Sequence, residues 1–228
     1  MIRRNVALSL LFVIVATVLG QAGKSRFTDR GLCDVHTLDD LRNYSFSFVS
    51  VDDEEDVSAY EEYREEYIRA CGECGNILVV SPTGGYEMGR LRGMQEVDVS
   101  EVIRGDKALA GARVWIDGMP GLSDEEDNGR LCIDMLSNYM LPGNEYLIFC
   151  NAYGPVMLED RPDCSKYYST SGIFDYFNIS RREGTGGIVE TDTEYSFDEL
   201  KEYEYFGTCQ AVLGEKQKIK DVLIEKYL

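Results

Sequence analysis

The sequence predicts a mainly β domain of the α+β class with helices at its periphery, on three observations. Short apolar runs rich in Val, Ile, Leu and Phe fill the middle of the chain, at 76–81, 97–103, 113–116 and 146–150. Gly84-Gly85, Gly105-Asp106 and Pro142-Gly143-Asn144 punctuate those runs as turns. Helical spacing of apolar residues is clearest near the two ends, at 57–71 and 215–227.

The N-terminus reads as a targeting segment. Arg3 and Arg4 precede an apolar run over residues 6–19, and the small residues Gly20, Ala22 and Gly23 follow. The run of about 14 residues is short of the 20 or so that a permanent span needs. Residues 1–22 are therefore expected to be a cleaved signal peptide, with a retained N-terminal membrane anchor as the alternative. The mature chain is expected to be secreted or extracytoplasmic, with no membrane span after cleavage.

Three further regions follow: an N-terminal segment over 23–75 with an amphipathic helix, a β region over 76–180, and a C-terminal helical extension over 181–228. Thr37 and Asp40 have capping-box spacing and open a short helix through Asn43. Residues 44–51 alternate weakly and read as a strand. The helix over 57–71 places Tyr60, Tyr63, Tyr67, Ile68 and Cys71 near one face and Glu61, Glu62, Glu65 and Glu66 mostly on the other. The run at 76–81 is a buried strand expected to close at Pro82. Over 95–103, Val97, Val99 and Val102 face one way with a slip at Val102, as a bulge gives. Residues 117–130 read as an acidic loop, and 131–141 stays open between helix and strand. Strand candidates follow at 146–150, 166–168 and 173–179, then a flexible loop at 181–187. Ser196 and Glu199 again have capping-box spacing, opening a short helix toward Phe206.

Composition narrows the partners. The chain of 228 residues has 41 acids against 23 bases, a formal charge of −18, and loss of Arg3 and Arg4 takes the mature value to −20. Phosphate backbones and anionic lipid repel such a polyanion, so nucleic acid is not an expected partner. An unidentified protein or small molecule is.

Seven cysteines, Cys33, Cys71, Cys74, Cys132, Cys150, Cys164 and Cys209, follow the export segment and are candidates for disulfides. Cys71 and Cys74 have the Cys-x-x-Cys spacing of a redox pair. They end a helix, however, whereas a thiol is activated at a helix start. Asp124, Glu126, Asn128 and Gly129 match the first half of a calcium loop, but Met135 stands where the bidentate acid belongs. His36 is the single histidine, and Ser81 has no nucleophile-elbow context. Asn43 and Asn178 are sequons in a eukaryotic host, and Trp115 reads as a sheet residue.

The segments 77–81, 97–106, 109–116 and 141–149 together resemble the netrin-like and tissue-inhibitor-of-metalloproteinases group. Val99-x-x-Val102-Ile103-Arg104-Gly105 is similar to that group's strand-ending turn. Gly143-x-x-Tyr146-Leu147-Ile148-Phe149 is similar to its later strand. The resemblance implies an OB-like five-stranded barrel over 76–180. Inhibitory members chelate a protease zinc through a cysteine at the mature N-terminus; here the first cysteine is Cys33, so that activity is not implied. Some uncharacterised exported bacterial proteins share the pattern. The expected function is an exported, non-enzymatic binding or interaction module without metal or cofactor. The alternatives are an exported thiol–disulfide oxidoreductase using Cys71 and Cys74, and a calcium-stabilised surface adhesion protein.

Overall fold

The apolar runs of the middle pair with one another into a mainly β core, with helices outside it. A computed structural model describes residues 35–48, 57–88, 93–119, 122–124, 130–133, 137–152, 167–170, 176–181, 183–190, 193–207 and 209–228. Val35–Leu228 forms one compact unit. The expected signal segment, Cys33, Cys164 and residues 125–129 of the acidic loop lie outside the described residues.

In chain order the strands are β1 (Ser45–Phe48), β2 (Asn76–Met88), β3 (Gly93–Arg104), β4 (Arg113–Met119), β5 (Leu122–Asp124) and β6 (Arg130–Ile133). They continue as β7 (Tyr146–Ala152), β8 (Tyr167–Thr170), β9 (Tyr176–Asn178), β10 (Gly186–Ile188), β11 (Tyr195–Ser196) and β12 (Tyr205–Gly207). The helices are α1 (Val57–Glu73), α2 (Phe197–Leu200) and α3 (Gln210–Tyr227), with a 3-10 turn over Leu38–Asn43.

The largest sheet orders its strands β2-β3-β4-β8-β7-β9, and β7 also pairs with β2. The meander β2–β3–β4 is antiparallel, β4 and β8 are parallel, and β7 runs antiparallel to both β8 and β2. Two smaller sheets, β11-β1-β6-β5 and β10-β12, lie outside it.

Several expectations change here. β2 does not stop at Pro82 but runs on to Met88, because Pro82 sits at a register shift where its missing N–H is tolerated. The Gly84-Gly85 turn is an irregularity within that strand. The acidic loop over 117–130 contains the end of β4 and all of β5; the segment 131–141, left open between helix and strand, begins within β6. The flexible loop at 181–187 enters β10, and α2 ends at Leu200 so that Phe206 lies in a strand. The slip near Val102 is present: β3 changes register between its pairings with Val79 and Val80, so Val99 and Val102 are both buried while Ser100 and Glu101 are exposed.

Ile77, Leu147, Phe149 and Phe177 of the large sheet pack with Ile219 and Leu223 of α3 and with Cys71 and Cys74 at the end of α1. Fully burying a Leu, Ile or Phe stabilises by about 1.5–3 kcal/mol each, so this cluster fixes α3 to the sheet. A second aromatic core joins the small sheet to its surroundings, with Phe48 and Phe206 at a ring-centroid distance of 4.8 Å. Both capping boxes form: the Thr37 N–H donates to Asp40 at 2.8 Å and the Ser196 N–H to Glu199 at 2.7 Å.

Candidate functional site

The site is built on α3. Cys209, in extended backbone, occupies the N-cap, and Val212, Lys216, Ile219, Lys220 and Leu223 form the inward face. Two of those inward residues are lysines. Their aliphatic stems pack, and their ammonium groups reach fixed acceptors. Lys216 donates to the carbonyl of Phe206, and Lys220 donates to the carbonyl of Arg181 at 2.9 Å and to Glu204 at 2.7 Å. Glu204, just before β12, also accepts the Asn178 N–H at 2.8 Å. Burial pushes the Glu204 carboxyl above its ordinary range, and Lys220 pulls it part of the way back.

A neighbouring stripe of the same helix, Gln210, Leu213, Gly214, Gln217, Asp221, Ile224 and Glu225, follows helical spacing and lines a groove of about 1250 Å³. Glu183, Gly184, Thr185 and Gly186 form its opposite wall, with Tyr203 and Tyr205. Gln217 ties the walls together: its Oε1 accepts the Gly184 N–H at 2.7 Å and the Tyr205 hydroxyl at 3.0 Å, and its Nε2 donates to Asp221 at 2.7 Å. Burial raises the Tyr205 phenol pKa, and Glu204 and Asp221 add to the shift, so the ring stays protonated as a donor. Tyr203, 37% exposed, is among the lining residues.

The groove's polarity is one-sided. Among the described residues its lining holds three carboxylates, Glu183, Asp221 and Glu225, and no Lys, Arg or His. Asp221 and Glu225 are four residues apart on one helical face, a like-charge spacing that mildly destabilises an isolated helix. Gly214 is the other oddity. A Cβ built there meets nothing within 4 Å, and its backbone dihedral is ordinary for an L-residue. A glycine within a helix gives up roughly 0.5–1 kcal/mol relative to alanine, and no neighbour in the fold requires it.

The residues singled out from the sequence do not converge on this groove. Cys71 is 1% exposed, Cys74 3% and Cys150 0%, all inside the core. The Cys74 thiol donates to the Ala70 carbonyl at 3.6 Å. No disulfide joins Cys71, Cys74, Cys150 and Cys209 to one another in the structure. Cys132 lies on β6, paired in register with Ser47 and Ser123. His36 is exposed, with its backbone N–H donating to Asp40 at 3.0 Å. Ser81 lies within β2, and Trp115 is a half-buried sheet residue opposite Glu96 and Tyr167. Asn178 is 6% exposed, its Oδ1 accepting the Ser180 N–H at 3.0 Å, so the folded chain does not present it as a sequon. Asp124 ends β5, while 125–129, Asp134 and Met135 of the calcium-loop pattern lie outside the described residues.

Sequence reasoning missed Tyr203, Tyr205, Glu204, Gln217 and Lys220. The signal that could have found Lys216 and Lys220 is their spacing, which places two charges inside the apolar stripe of Ile219 and Leu223. Compared with known proteins, the chain matches no family model and no curated protein. Among the described residues no helix is long and apolar enough to cross a membrane.

Proposed function

We propose that this chain is an exported, non-enzymatic binding module built on an OB-type barrel, with the groove along α3 as its ligand face. The order β2-β3-β4-β8-β7, the parallel β4–β8 pair and the return of β7 to β2 support the barrel reading. The N-terminal run over residues 6–19 behind Arg3 and Arg4 supports export. One observation carries the binding reading: a groove of about 1250 Å³ walled by two tyrosines and a helix stripe. Pockets of about 300–1,000 Å³ already suffice for small ligands. Burial of Cys71 and Cys74 in the core weighs against the thiol–disulfide alternative, because an attacking thiolate needs access.

The test is a thermal-shift panel of small molecules and peptides on the wild-type chain and on Gly214→Trp, which fills the groove from an open position. Ligands that raise the wild-type Tm and leave the variant unmoved uphold the reading. Turnover of any panel compound, abolished by a single substitution, overturns it.

A further inference from the structure

We infer that the occupant of the groove is an extended, basic polypeptide segment whose Lys or Arg side chains meet Glu183, Asp221 and Glu225. The inference rests on the binding-module reading and adds the chemistry of the partner.

Charge complementarity is the first argument. Among the described residues three carboxylates line the groove without a basic residue beside them. Asp221 accepts only an amide, from Gln217, while Glu183 and Glu225 have no hydrogen-bond or ion-pair partner among the described residues. The chain's formal charge of −18 steers cations toward it over long range. Tyr203, 37% exposed and among the lining, adds an aromatic ring of the kind that attracts an ammonium or guanidinium group.

Shape is the second. The stripe from Gln210 to Glu225 covers sixteen residues of helix, or about 22 Å at the α-helical rise. That length matches about seven residues of extended chain and exceeds a single amine. Gly214 lies along the stripe with open space above its backbone. A bare helix backbone lets another backbone come close, where a side chain would hold it off.

The experiment uses fluorescein-labelled peptides of about eight residues, alternating Ala with Lys, Ser or Glu, titrated into the full chain as recovered after export. Wild type is compared with Gly214→Trp, with Asp221→Asn plus Glu225→Gln, and with Glu65→Gln plus Glu66→Gln on the exposed face of α1. The expected result is anisotropy saturation by the Lys peptide alone. The Asp221/Glu225 variant then binds about tenfold more weakly, Gly214→Trp does not bind, and the α1 variant binds as wild type does. Equal weakening by both charge-removing pairs, with Gly214→Trp still binding, overturns the inference in favour of diffuse attraction. Binding of the Ser or Glu peptide that Gly214→Trp blocks overturns the basic chemistry but keeps the groove. Free butylamine competing as well as the Lys peptide overturns the polypeptide. No binding by any peptide overturns the inference, and the small-molecule arm of the thermal panel then decides the groove separately.

Discussion

Lys220 Nζ lies 2.7 Å from Glu204 Oε2, and the two side chains are 0% and 8% exposed. This ion pair spans the packing of α3 against the approach to β12, and the groove walls come from the same two segments. Removing two charges from water is costly, so the pair is weak as a net stabiliser but expensive to break from one side.

Lys220→Met is expected to destabilise the fold by about 3–5 kcal/mol, because it leaves Glu204 buried and uncompensated. Combining it with Glu204→Gln recovers most of the loss. Urea unfolding of the two singles and the double variant measures the coupling. Additive losses would show that the two groups do not act as a pair.

The pH dependence follows from the same carboxyl. Burial raises the Glu204 pKa above its ordinary 4.5. A group that holds its proton more tightly folded than unfolded lowers stability as pH rises from the ordinary value through the raised one. Glu204→Gln lacks that slope, so the variant-minus-wild-type difference in Tm is expected to climb with pH across this window. Exposed carboxylates held low by partners, such as Asp98 hydrogen-bonded by Arg113, have the opposite sign. Their contribution is present above 3.8 and is lost on acidification, and it cancels in the difference. A difference that falls with pH would show that Lys220 outweighs burial.

Gly105 closes β3 at φ +110°, and a Cβ there would collide with Asn76 Oδ1 and come within 2.8 Å of the Gly75 carbonyl. That asparagine oxygen already accepts the Asp106 N–H at 3.2 Å. Gly105→Ala is expected to destabilise by more than about 1 kcal/mol, the scale of placing an L-residue in that region. Thermal unfolding of the variant checks it; an unchanged Tm would mean that the β3–β4 turn can relax.

The thiols separate the binding reading from the redox one. Cys209, half-buried at the α3 N-cap, is expected to react with iodoacetamide in the native state, while Cys71, Cys74 and Cys150 react only after unfolding. Peptide mapping resolves the sites. Fast native labelling of Cys71 or Cys74 would restore the oxidoreductase. Cys209→Ser supplies an N-cap oxygen where no side-chain cap forms now, and is expected to stabilise by about 0.5–1 kcal/mol.

What the sequence made legible was local. The apolar runs at β2, β3, β4 and β7, both capping boxes and the two long helices follow from patterns within a few residues. The rest depends on distant partners. Phe46 and Phe48 sit in a strand whose neighbours are β6 and β11, contributed from far along the chain. Pro82 punctuates a strand when read alone and is tolerated only because β3 shifts register beside it. The groove was illegible for the same reason: Gln217, Tyr205 and Gly184 form one hydrogen-bonded unit only after β12 and α3 pack together.

The most direct test of the groove as the ligand face is protein-observed NMR of the chain against a chemically mixed fragment library. The account predicts that binding fragments shift the amides of Gly184, Thr185, Gly214 and Gln217, and that Gly214→Trp abolishes those shifts. Fragments collecting instead on the outer face around Trp115 and Arg113, with the groove amides unmoved, would contradict it.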